Sequence, residues 1–109
     1  MTAVGPHLDK HSPPGSPPPS QEEAEARLHR EGYTCYCWYD VPGTIYPGHQ
    51  HSHDECIWLL KGEMEYEVGG QIFELKAGDR LFLPKGTAHT AKVPKSMSVT
   101  FIVGQKKLS

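Results

Sequence analysis

The chain predicts an all-β fold, a sandwich or barrel of short antiparallel strands preceded by a disordered N-terminal tail and one short helix. Three observations carry this. From Gly32 onward, short runs rich in Val, Ile, Phe, Tyr and Trp are separated by glycine-containing turn signals. Within those runs hydrophobicity alternates with period two: in Glu63-Met64-Glu65-Tyr66-Glu67-Val68 the acids face water while Met64, Tyr66 and Val68 face inward. The first 20 residues, by contrast, hold six of the ten prolines and almost no large apolar side chains, so they cannot bury enough surface to order themselves.

Residues 1–20 are therefore expected to be a solvated, polyproline-biased tail, and residues 21–109 a single domain, since the length leaves room for one core only. The segment from Gln21 to Glu31 places acids at the front and bases at the back, which suits the helix dipole, and predicts one or two turns of helix. Strands are expected over Tyr33–Asp40, Thr44–Tyr46, His49–His51, Glu55–Leu60, Glu63–Val68, Gln71–Leu75, Arg80–Leu83, His89–Val93 and Ser96–Val103. The turns between them are marked by Val41-Pro42-Gly43, Lys61-Gly62, Gly69-Gly70 and Ala77-Gly78-Asp79. Parity along the fourth of these strands puts Glu55, Ile57 and Leu59 on one face and turns Cys56 away. In the last strand either Val99, Phe101 and Val103 or Thr100 and Ile102 face the interior.

The composition narrows the function classes. A net charge of -2 gives no basis for nucleic-acid binding, and Lys106 and Lys107 are too few to form a basic patch. No apolar stretch reaches the length of a signal peptide or of the roughly 18 residues of a membrane span, so a cytoplasmic protein without a membrane partner is expected. Cys35, Cys37 and Cys56 are odd in number, which fits reduced thiols. Cys35 and Cys37 share a strand face and can be written as a thiolate pair, but small buried residues opposite Tyr36 and Trp38 are the favoured reading.

The chemistry is concentrated in Gly43, His49, His51, Glu55 and Gly62, then Gly78, Pro84, Gly86 and His89. Imidazole and carboxylate are donors for divalent transition metals. On a strand, side chains two apart share a face with Cα atoms about 6.6 Å apart, so His49 and His51 can meet one ion at about 2.1 Å per bond. Glu55 lies six residues beyond His49, roughly 20 Å along an uninterrupted strand. The chain must therefore turn between His51 and Glu55, and Ser52-His53-Asp54 has the residue types for it. Pro84-Lys85-Gly86-Thr87 is a turn that delivers His89. A lone histidine is more often a plain polar residue, but together these four read as metal ligands. His53 continues the alternation and can be written as a ligand in place of Glu55. Its place in the bend favours a rim position, from which it can hold a substrate or move protons.

The spacing G-x5-H-x-H-x3-E-x6-G followed by G-x5-P-x-G-x2-H resembles the paired motifs of the cupin superfamily, in its small single-domain form, and the resemblance covers Gly32 to Val103. Where the family often has Asn four residues after the second-motif histidine, this chain has Val93. The resemblance implies an antiparallel jelly-roll β-barrel and one divalent metal ion, iron, manganese, nickel, copper or zinc, held by His49, His51, Glu55 and His89. It also implies a homodimer, with an edge strand such as Tyr33–Asp40 protected by pairing. Two functions follow from it. One is a metal-dependent enzyme of dioxygenase, isomerase or lyase type acting on a small oxygen-rich metabolite, with Glu55 as a base and His53 and Tyr46 as candidates for proton transfer. The other is a non-catalytic binding or sensor module in which the metal is structural or anchors a ligand. No DNA-binding helix pair accompanies the barrel, which favours the enzyme.

Overall fold

The alternating runs pair into two antiparallel sheets. The computed structural model describes residues 5–106. In chain order it contains β1 (His7–Asp9), α1 (Gln21–Arg30), β2 (Tyr33–Asp40), β3 (Ile45–His49), β4 (Asp54–Lys61), β5 (Glu63–Val68), β6 (Gln71–Lys76), β7 (Arg80–Leu83), β8 (His89–Lys92) and β9 (Val99–Lys106). One sheet has the order β1-β7-β4-β9-β2 and the other β3-β8-β5-β6. From β2 to β5 and again from β6 to β9 successive strands alternate between the sheets, as in a jelly roll, and the expected all-β barrel is the observed architecture. Among the described residues no helix is long and apolar enough to cross a membrane.

Strand parity creates two apolar layers. Ile57, Leu59, Met64, Tyr66, Leu75 and Phe101 meet in the barrel interior. The other face of the five-stranded sheet offers Cys56, Trp58 and Ile102, and α1 covers it with Ala24 and Leu28. The helix begins at a capping box: the Glu23 backbone N–H donates to Ser20 Oγ at 3.1 Å and the Ser20 N–H to Glu23 Oε1 at 2.9 Å. Beyond its last turn, Glu31 accepts from Arg80 Nη2 at 2.6 Å, and the guanidinium stacks 4.4 Å above the Trp58 ring. Gly62, between β4 and β5, has φ +88°, and a Cβ there would fall 2.6 Å from the Ser98 carbonyl oxygen. Only glycine therefore permits this crossing between the sheets.

Three expectations are corrected. The tail is not solvated throughout. Residues 1–4 lie outside the described residues, but from Gly5 the chain docks: β1 pairs with β7 through His7↔Phe82, Leu8↔Leu81 and Asp9↔Arg80. The His7 ring stacks on Phe82 at 4.7 Å, and the His11 N–H donates to Asp79 Oδ1 at 2.8 Å. Average composition hides this because the segment between Pro6 and Pro13 keeps its backbone N–H groups, and the edge of β7 offers partners for them. Secondly, β3 runs from Ile45 to His49 and leaves His51 outside any strand, because the register with β8 slips between Tyr46 and His49, around Pro47. Thirdly, β9 starts at Val99 rather than Ser96 and runs on to Lys106, since Lys95-Ser96 forms a turn.

Candidate metal centre

His49 closes β3 and pairs directly with His89, the first residue of β8. His51 reaches them by another route. The Pro84–Thr87 turn is closed by the Thr87 N–H donating to the Pro84 carbonyl at 3.2 Å, and the Gly86 N–H donates to the His51 carbonyl at 2.7 Å. The second motif therefore clamps the loop of the first, with Lys85 N–H donating to Asp54 Oδ1 at 2.8 Å beside it. The result brings the rings of His49 and His89 to 4.3 Å and those of His49 and His51 to 4.9 Å between centroids.

The donor atoms suit a metal ion. Nδ1–H of His49 donates to the Pro47 carbonyl at 2.8 Å and Nδ1–H of His89 to the Thr87 carbonyl at 3.0 Å. A carbonyl can only accept, so in each ring Nε2 carries the free lone pair, the arrangement that fixes a metal-ligating tautomer. One donor atom from each of His49, His51 and His89 lies within 4.8 Å of the other two. Desolvation holds His51 and His89 below the usual imidazole pKa, which keeps them neutral and able to ligate.

Glu55 is 4% exposed at the start of β4, and burial raises its pKa. Its Oε2 lies 3.5 Å from His51 Nε2. It falls into a second overlapping group with His51 and His53, whose donor atoms also lie within 4.8 Å of one another. His53, expected at the rim, is partly exposed. The bend at Ser52-His53 folds the ring back to 5.4 Å from that of His51, and its Nε2 is buried with no hydrogen-bond partner among the described residues.

Beside the three clustered histidines and Glu55 lies a cavity of about 190 Å³ lined by Trp38, Tyr46, Ile57, Tyr66, Phe101 and Gln105, among others. His53 does not line it, so a direct part for His53 at a substrate is not what this arrangement offers. Tyr46 does line it. Its hydroxyl donates to Asp40 Oδ2 at 2.5 Å, and burial together with that acceptor pushes its pKa up to about 12, so the phenol keeps its proton. Burial likewise raises the pKa of Tyr66, which no hydrophobic-core reading had singled out as a cavity wall. Gln105 was also missed. The signal was available, since continuing the parity of Phe101 and Val103 by two residues puts Gln105 on the same face.

The chain is similar to several known proteins. Dimethylsulfoniopropionate lyase DddQ of Ruegeria pomeroyi is 33% identical over 63 residues, 57% of this chain but 31% of that protein. An uncharacterized protein of Aquifex aeolicus is 33% identical over 57 residues, 52% of this chain and 47% of its own length. The chain thus matches less than half of the length of either relative. Among solved structures, a cupin protein from Bacteroides fragilis superposes with a TM-score of 0.62 at 24% identity, covering 72% of this chain and 68% of that one. The crystal structure of DddQ superposes with a TM-score of 0.59 at 25% identity, covering 72% and 48%. The family model described as the cupin domain matches residues 38–103, and the chain belongs to that family.

Proposed function

We propose that the chain is a metal-dependent enzyme of lyase type that acts on a small, oxygen-rich organic acid. The observation that carries this is the convergence of His49, His51 and His89, with free Nε2 lone pairs, beside a small cavity with mainly apolar walls. A bound divalent ion would supply Lewis-acid activation of a substrate oxygen. The donor set is borderline and suits iron, manganese, nickel, copper or zinc.

The chain's own residues set the rest. About 190 Å³ of room is below the roughly 300–1,000 Å³ of pockets that take drug-sized ligands, so the substrate is small. Among the described residues no lysine or arginine lines the cavity, so a substrate carboxylate is left to the metal position. The rings of Trp38, Tyr46, Tyr66 and Phe101 suit an apolar or cationic far end. Glu55 stands beside His51 at the edge of the three-histidine group, from where it can take a proton from substrate, a step that its raised proton affinity favours. Tyr46 holds its proton and orients rather than accepts. Similarity to DddQ supports lyase over oxygenase or isomerase chemistry.

The test is to load the full chain with each ion anaerobically. Metal content is measured by plasma mass spectrometry against a His51→Ala blank, and the loaded protein is supplied with dimethylsulfoniopropionate and related small acids carrying a β leaving group. Formation of an unsaturated product that requires Glu55 supports the proposal. Oxygen consumption instead would move the assignment to a dioxygenase. Metal binding with no turnover of any of these acids would leave a binding module.

A further inference from the structure

We propose that His51, His53 and Glu55 form a second station for a divalent transition-metal ion, beside the His49–His51–His89 station and sharing His51 with it. The inference rests on the reading of this region as a metal centre and adds a residue that the two spaced motifs do not include. The first observation is geometric: one donor atom of each of the three lies within 4.8 Å of the others. Tetrahedral or octahedral ligands about 2.1 Å from an ion stand about 3–4 Å apart, so a shift of a few tenths of an ångström to about 1 Å completes the set. The second is independent of it. His53 Nε2 is buried without a hydrogen-bond partner among the described residues, an expensive state for an imidazole nitrogen unless something else occupies its lone pair. Two imidazoles and a carboxylate are a complete three-ligand donor set for a borderline ion.

The stations differ in what they face. His49, His51 and His89 line the cavity, whereas His53 does not. An ion at the second station ties up Glu55, so that station stores or admits the ion, and the first presents it to substrate.

Cobalt(II), followed by its visible absorption, is the probe. The full chain is titrated as wild type, as His49→Ala/His89→Ala, and as the same double variant with His53→Ala added. The double variant should keep about one equivalent of cobalt with a changed spectrum, and the added His53→Ala should weaken that residual binding by about 100-fold or more. Wild-type binding with none in the double variant, or residual binding indifferent to His53, would overturn the second station and leave the first intact. Failure of the wild type to bind any cobalt would remove both. If circular dichroism shows the alanine pair unfolded, His49→Gln/His89→Gln fills the same space and gives the same reading.

Discussion

The two faces of the five-stranded sheet differ in how they treat buried charge and donor atoms. On the helix side, Arg80 is 6% exposed, yet it is paired with Glu31 at 2.6 Å and stacked on Trp58, whose Nε1–H donates to the Gly78 carbonyl at 3.1 Å. On the cavity side, Glu55 stands 3.5 Å from His51, and across the interior His49 and His89 of the four-stranded sheet each keep an Nε2 lone pair once Nδ1 has donated. Single steps along β4, from Glu55 to Cys56 and from Ile57 to Trp58, cross from one regime to the other. The helix face pairs its buried charge within the chain, although Arg80 Nε keeps no hydrogen-bond partner among the described residues; the inner face presents donor atoms that suit an added ligand. Stability and function therefore reside on different sides of one strand, and substitutions should separate them.

The largest expected effect is on the inner side. His51→Ala should lower metal affinity by more than about 100-fold, because both donor groups use this residue, while the unfolding midpoint of the metal-free protein barely moves. Paired metal titration and urea unfolding check this, and a large drop in stability would blur the division. Leu28→Ala does the reverse. Leu28 is fully buried between α1 and the sheet, so its truncation should cost about 2–5 kcal/mol in urea unfolding and leave metal affinity unchanged.

Arg80→Met tests whether the ion pair or the stacking holds the helix face. Glu31 keeps 35% of its side chain in solvent and would not be stranded as a buried charge, so a loss of about 1–2 kcal/mol in chemical unfolding is expected. The smallest effect is in pH. The Arg80 hydrogen bond holds Glu31 below its ordinary value of 4.5. Its contribution is thus complete above pH 4.5 and fades as pH falls toward the lowered folded value, where the carboxylate protonates. Comparing urea midpoints of the wild type and Glu31→Gln at pH 7 and in acid should show the gap between them closing on acidification. A gap that widens would mean that Arg80 does not stabilise the charged form.

Much of this was legible in the sequence because it depends on parity. The bounds of β2, β5 and β7, the inward face of Glu55 and Ile57 and the outward turn of Cys56 all follow from period-two alternation. What was not legible depends on contacts between distant segments. His51 leaves the strand yet joins His49 because the Gly86 N–H reaches its carbonyl from the other motif. The approach of the His53 ring to within 5.4 Å of His51 depends on the bend between them. Trp38 and Gln105 become cavity walls only when β2 and β9 curve together around the interior. The docking of β1 was hidden for the same reason, since proline content describes a segment but not the partner waiting for it.

That docking has a consequence for association between copies. A sheet with two bare edges can add molecules at both and grow into a fibre, whereas a sheet with one can add a single neighbour and stop. By lying along β7, His7–Asp9 leave the five-stranded sheet with β2 as its outermost long strand, carrying Tyr36 and Trp38 half exposed. Edge-to-edge joining of this sheet to its like is then directed to β2 rather than to β7, whose edge His7–Asp9 already occupy.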